Sequence, residues 1–258
     1  MNDAIKEYLK IFRLPAITEN YHYIAQECAK TSASYSEFLF KLLECEMKEK
    51  IERSKRTVLK FAGFPVIKTI EMFDFSSSGI NKSQITELSS LKFIDNAENI
   101  ILVGPSGTGK THMALSLGYI AAQQRIRTRF ITLSDLLLQL EIAEDQKRLK
   151  DYFKQYVGHI RLLIIDELGY TRLNERQANI FFQLINKRYE SGSIIITSNL
   201  SFLKWKEVLN NDEALTAAVL DRLIHHSHIV NITGESYRLK QKKKAGLIYS
   251  GNVSADEN

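Results

Sequence analysis

The chain has 258 residues, 44% hydrophobic and 25% charged, with a formal net charge of +5, which suits a large domain plus a smaller companion, each with its own core. No apolar run approaches the roughly 18 residues needed to cross a bilayer, and the start M-N-D-A-I-K-E-Y holds no signal-peptide core, so no membrane partner is expected. Cys28 and Cys45 lack metal-ligand spacing and are expected as thiols in a reducing cytoplasm, while the basic balance permits a phosphate-backbone partner without requiring one.

Residues 1–65 are expected to form a small helical domain. Ile5, Leu9 and Phe12 share one helical face, and Leu14-Pro15 ends that helix. Ile17, Tyr21, Ile24 and Cys28 recur at spacings of three or four, predicting a second. Ser34 and Glu37 form a capping-box pattern for a third, with Phe38, Leu39, Leu42, Leu43, Met47 and Ile51 as its apolar stripe. Gly63-Phe64-Pro65 breaks the pattern and marks a boundary. Residues 66–98 are a connector with a Ser-rich centre and a short helix over 83–93. From Asn99 onward, short β-branched runs at 100–103, 128–133, 162–165, 194–197 and 229–232 alternate with helical stretches. Such alternation predicts an α/β domain over 66–245, a parallel sheet covered on both faces. Residues 246–258 are a small polar tail, expected to be disordered.

The first strand runs into G-P-S-G-T-G-K-T, a complete G-x-x-x-x-G-K-[ST] phosphate loop with a strand before it and a helix after. Four fixed positions match by chance about once in a hundred chains this long, and the flanking elements make chance rarer still. Gly104, Gly107 and Gly109 allow the backbone to turn its amides around a phosphate; Pro105, Ser106, Thr108 and His112 complete and follow the loop. Lys110 is the expected cation for the β- and γ-phosphates, and the Thr111 hydroxyl the expected Mg²⁺ ligand.

Arg161-Leu-Leu-Ile-Ile leads into Asp166-Glu167, a hydrophobic strand ending in two carboxylates. Asp166 suits Mg²⁺ and Glu167 suits the attacking water, against the blander reading of an exposed acidic turn. The strand over 193–197 ends in Ser198-Asn199, whose amide could reach a γ-phosphate; Ser-Asn is also ordinary turn chemistry. Arg222 lies on a helix before the last strand and Arg238 after it, positions equally open to surface ion pairs. His225, His226 and His228 do not converge at metal-ligand spacing. Three basic groups are candidates for nucleic-acid phosphates. They are Arg125, Arg127 and Arg129; Lys147, Arg148, Lys150 and Lys154, expected on one helix and favoured; and Arg238 with Lys240, Lys242, Lys243 and Lys244.

With G-P-S-G-T-G-K-T-H, L-L-I-I-D-E-L-G-Y, F-F-Q-L-I-N-K-R-Y-E, I-I-I-T-S-N-L-S-F, D-R-L-I-H-H-S-H-I-V and G-E-S-Y-R-L-K in this order, the chain resembles the IstB-like helper ATPases of DNA transposition. These belong to the AAA+ superfamily beside DnaC and DnaA. The resemblance spans nearly the whole chain to about Lys240. It implies an AAA+ P-loop fold with a helical N-terminal domain and no C-terminal lid. It also implies ATP and Mg²⁺, a homo-oligomer with ATP at subunit interfaces, duplex DNA, and a cognate transposase recruited by the N-terminal domain. Asn199 then corresponds to sensor 1, Arg222 to a trans-acting arginine finger, and Arg238 to a sensor-2 arginine. Thr171-Arg172 departs from the more apolar turn expected there, without touching the chemistry.

The alternative is a DnaC-like replicative helicase loader, the same engine with another client. A P-loop GTPase would need N-K-x-D, and Asn81-Lys82-Ser83-Gln84 and Asn186-Lys187-Arg188-Tyr189 lack the aspartate. A small-molecule kinase would want an arginine-bearing lid and has no use for the Asp166-Glu167 pair.

Overall fold

A computed structural model describes residues 2–75, 78–234, 236 and 237. The chain divides into two compact units, Met1–Thr57 and the remainder from Val58. The division falls inside a helix, ahead of the Gly63-Phe64-Pro65 break.

The first unit contains α1 (Asn2–Ile11), α2 (Pro15–Lys30) and most of α3 (Tyr35–Ala62). Pro15 opens α2, where its fixed φ helps and its missing N–H costs nothing. Ser34 and Glu37 make the expected reciprocal cap: the Ser34 amide donates to Glu37 Oε2 at 2.9 Å, and the Glu37 amide donates to Ser34 Oγ at 3.2 Å. Ala16, Ile17, Tyr21 and Cys28 are buried along α2, and the Ile17 amide donates to the buried Glu46 carboxylate of α3 at 3.1 Å. The expected α3 stripe is only partly core. Phe38 and Leu42 are half-buried, whereas Leu39, Leu43 and Met47 are exposed. A helical unit this small buries one edge of so wide a stripe, and the other edge faces out.

In the second unit the predicted helix over 83–93 is two, α4 (Lys82–Leu88) and α5 (Lys92–Asp95). Leu91 separates them in a left-handed conformation, φ +63°, which stops any helix. The sheet follows with β1 (Asn99–Val103), β2 (Thr128–Thr132), β3 (Leu162–Leu168), β4 (Ser193–Ser198) and β5 (Ser227–Asn231), all parallel, in the order β2-β3-β4-β1-β5. The helices between are α6 (Lys110–Gln123), α7 (Leu133–Asp145), α8 (Leu149–Lys154), α9 (Glu175–Arg188), the single turn α10 (Trp205–Val208) and α11 (Glu213–Ile224).

Both sheet faces are buried, which is why the strands read as continuous apolar runs. Ile101, Ile131, Leu163, Ile165, Ile194 and Ile196 pack on one face with residues of α7, α9 and α11, including Leu136, Phe181 and Leu223. Ile100, Leu102, Phe130, Ile164, Ile195 and Val230 pack on the other with Met113, Leu117 and Ala121 of α6 and with Ile85 and Phe93. Among the described residues no helix is long and apolar enough to cross a membrane. The carboxyl ends of β1, β3 and β4 meet at the middle of the sheet, where open α/β sheets hold their ligands.

Candidate functional site

A cleft of about 340 Å³ opens above those carboxyl ends, lined by residues 106–112 of the phosphate loop and by Glu167, Tyr170, Thr197 and Asn199. The loop turns with Gly104, Gly107 and Gly109 at φ +151°, +80° and +100°. A Cβ on Gly107 would lie 2.2 Å from Ser236 Oγ, and one on Gly109 would lie 2.4 Å from the Phe73 ring. The loop is therefore clamped from outside, and the Tyr237 amide ties down the Gly107 carbonyl at 3.0 Å. Backbone folded this way forms an amide nest for an anion, and the N-terminus of α6 adds its partial positive charge.

Lys110 is buried and donates to the Gly104 and Pro105 carbonyls at 2.7 and 2.6 Å, so its ammonium sits within the loop. Thr108 braces the same turn by donating to the Pro105 carbonyl at 2.8 Å. His112 points away from the phosphate end: its Nε2 meets the Thr69 carbonyl at 2.8 Å and its ring packs edge-on against Phe73. Burial pushes the imidazole below its usual pKa, so at neutral pH it is uncharged and donates to that carbonyl.

The acidic pair sits on a bulge. Ile165 pairs with Ile196 and Leu168 with Ser198, so Asp166 and Glu167 together oppose the one residue Thr197. Glu167 takes up the extra length at φ +67°, and its side chain is exposed in the cleft. Asp166 stays buried and receives the Thr111 hydroxyl at 3.0 Å to Oδ1 and 3.1 Å to Oδ2. Thr111 and Asp166 thus already form a hard-oxygen pair of the kind that holds Mg²⁺ together with phosphate oxygens. Asn199 lines the cleft just beyond β4; its buried Oδ1 has no hydrogen-bond partner among the described residues and, as an acceptor, calls for a donor such as water, while its amide N–H is the group suited to a phosphate oxygen. Gly169, at φ +117°, makes room for it, because a Cβ there would lie 2.5 Å from Asn199 Oδ1. An amide nest, a buried ammonium and a hydroxyl–carboxylate pair together fit a magnesium–nucleoside triphosphate.

The family model for IstB-like ATP binding proteins matches residues 7–245. The chain belongs to that family. A protein of insertion sequence IS5376 from Geobacillus stearothermophilus, described as ATP-binding, is 44% identical over 94% of this chain and 96% of its own. The ATP-binding protein of insertion sequence IS21 from Pseudomonas aeruginosa is 42% identical over 91% of this chain and 89% of its own. A crystal structure of DnaI shares the fold, with a TM-score of 0.55 and 16% identity over 69% of this chain and 94% of that one. The chain is an ATPase of the IstB type with a P-loop on a parallel α/β core.

The remaining expected residues lie elsewhere on this IstB-like core. Arg222, half-buried on α11, is not among the residues lining the cleft. Its guanidinium lies 5.0 Å from the Phe182 ring centroid and donates to Asn186 Oδ1 at 2.7 Å, both on α9. The favoured basic group is not wholly helical: Lys147, at φ +57°, and Arg148 precede α8, which carries only Lys150 and Lys154. All four side chains are exposed. Arg129 is taken up internally, donating to the Phe61 carbonyl at 2.9 Å. Arg238 and the lysines after it lie outside the described residues.

Three contributors were not expected from the sequence. Thr197 contacts both members of the acidic pair, the Tyr170 hydroxyl lies 3.0 Å from Ser106 Oγ across the cleft, and Val66, Lys68, Met72 and Phe73 wall its far end. The Gly-Tyr after the acidic pair was visible as a string, but not the fold-back that brings it over the loop.

Proposed function

We propose that this protein hydrolyses ATP with Mg²⁺ at the interfaces of a homo-oligomer assembled on duplex DNA in the cytoplasm, and that it thereby selects target DNA for, and recruits or stimulates, the transposase of an insertion sequence. One observation carries the reading: a single cleft unites the phosphate loop, the acidic pair and the polar tip of β4, in a chain whose relatives are described as ATP-binding proteins of insertion sequences. In this reading Lys110 exchanges its two loop carbonyls for β- and γ-phosphate oxygens. Thr111 and Asp166 would hold Mg²⁺, which would supply positive charge against the phosphate oxygens. Glu167 accepts a hydrogen bond from the attacking water and draws off its proton. Asn199 donates its amide to the γ-phosphate or to that water. Arg222 enters from a neighbouring subunit, and Arg238 contacts the nucleotide or DNA. The basic surface around α8 takes the DNA backbone, and residues 1–65 engage the transposase.

Equilibrium binding and turnover test the chemistry. Lys110→Ala is expected to lose ATP binding, whereas Glu167→Gln keeps it and hydrolyses slowly. Hydrolysis by Glu167→Gln at the wild-type rate would remove Glu167 from this role. Co-precipitation tests the client: recovery of a replicative helicase rather than a transposase would move the protein to the DnaC-like alternative.

A further inference from the structure

The bulge in β3 sets a geometric problem that one side chain resolves. Two adjacent carboxylates must serve different ends, one held inward with Thr111 and one turned out toward water. Neighbouring residues on a regular strand point to opposite faces, so a regular strand would turn Glu167 away from the side on which Asp166 meets Thr111. At the bulge, the Thr197 hydroxyl donates to Asp166 Oδ1 at 2.5 Å and accepts from the Glu167 amide at 3.0 Å. Thr197 is 2% exposed, so water does not substitute for it readily. The same Asp166 oxygen receives the Thr111 hydroxyl at 3.0 Å, which completes a chain from the loop through Asp166 and Thr197 to the Glu167 backbone. A left-handed φ of +67° at a glutamate is unfavourable by itself and persists only where surrounding bonds enforce it.

Resting on the ATPase reading above, we propose that Thr197 is a positioning residue that fixes the acidic pair in two roles, orienting Asp166 for the metal and pinning the Glu167 backbone so that its carboxylate faces the water. Its hydroxyl is engaged by Asp166 and the Glu167 amide, so it acts through the two carboxylates. Partners of this kind change metal affinity or activity by about 10–100-fold when removed.

The test uses the full chain with Thr197→Val, which keeps the β-branched shape and removes the hydroxyl, and Thr197→Ser, which keeps the hydroxyl. The first readout is binding rather than turnover: Mg²⁺ is titrated against a fluorescent ATP analogue. Thr197→Val is expected to leave metal-free nucleotide affinity unchanged and to raise the half-saturating Mg²⁺ about 10–100-fold. In turnover, kcat is expected to fall by a similar factor with little change in KM, and Thr197→Ser to restore both measures. Thr197→Ala, which removes the hydroxyl without placing a methyl beside Asp166, takes over if Thr197→Val fails to fold. Wild-type Mg²⁺ dependence and kcat in the hydroxyl-less variant, with Glu167→Gln slow, would overturn this inference and leave the ATPase reading intact. Equal losses in Thr197→Ser and Thr197→Val would also overturn it, because packing rather than the hydroxyl would then be responsible. If Glu167→Gln turned over at the wild-type rate, the reading beneath would fail and this inference with it.

Discussion

Arg222 is the residue proposed to act on a neighbouring subunit's nucleotide. Stacking on Phe182 and donation to Asn186 hold its guanidinium at the α9–α11 edge, and it does not line the cleft of its own chain. Arg222→Ala is therefore expected to leave ATP affinity of the isolated subunit unchanged while lowering hydrolysis, by up to the roughly 10³–10⁵ that arginine fingers supply in other NTPases. Mixing Arg222→Ala with Lys110→Ala subunits checks action in trans, since each keeps what the other lacks. Partial recovery of turnover is expected, and none in demonstrably mixed oligomers would assign Arg222 to its own α9 contacts. Gly169 allows a second residue-scale test. A methyl there would press on Asn199 Oδ1 in a backbone already at φ +117°, so Gly169→Ala is expected to lower kcat more than it changes ATP affinity. Equal effects on both would place the fault in the loop instead. At this scale the sequence was most legible where chemistry demands fixed spacing, as at Lys110, Thr111, Asp166 and Glu167. Thr197 and Tyr170 were not legible, because a threonine in a strand and a tyrosine in a turn acquire meaning only from what the fold places opposite them.

Arg188 controls the far end of the strands from the chemistry. It closes α9, is 1% exposed, and donates to the carbonyls of Ile160, Arg161 and Ser193 at 3.1, 3.2 and 2.9 Å, so it joins the starts of β3 and β4. Burial lowers its pKa to about 10, a sign that the charge is held at a cost. Replacing a buried cation can relieve that cost, but here the Ile160 and Ser193 carbonyls lose this donor at about 1–3 kcal/mol each, while the Arg161 carbonyl keeps the Ser193 amide at 3.0 Å. The second effect outweighs the first, so Arg188→Met is expected to melt several degrees below wild type, at roughly 2–4 °C per kcal/mol in a domain of this size. Arg188→Lys, with a charge but no fork, should fall between. A melting temperature for Arg188→Met at or above wild type would show that desolvation dominates. Elements were legible in proportion to their periodicity. All five strands were expected, because burial on both faces leaves runs such as Leu162-Leu163-Ile164-Ile165 without alternation. The apolar run 162–165 was expected to end in the two carboxylates, and β3 instead continues through them to Leu168, since polar residues at a strand end look like a turn. The break at Leu91 was invisible, because a left-handed leucine carries no sequence mark.

Across the whole molecule, positive charge has to be assigned to a partner or to solvent. The formal charge of +5 is small for 258 residues, so any hold on DNA must come from local clustering. Lys147, Arg148, Lys150 and Lys154 are the clearest cluster: all are exposed, and among the described residues none takes part in an ion pair. By contrast Arg176 is held by Glu144 and Asp145, and Arg161 by Asp95, so those cations are already neutralised within the chain. No base-reading motif accompanies the cluster, which points to phosphate contact with little sequence preference. Phosphate contact releases counterions, so the logarithm of affinity should fall with the logarithm of salt at a slope of about −0.9 per phosphate neutralised. Reversing Lys147, Arg148 and Lys150 to glutamate is expected to weaken binding to every duplex by the same factor and to make that slope shallower by about 0.9 for each phosphate no longer neutralised. Titrations of two unrelated duplexes with ATP at several salt concentrations check both expectations. Weaker binding to one duplex alone would indicate base reading. Wild-type affinity and slope would return this surface to solvent and shift the search to the basic residues after Tyr237.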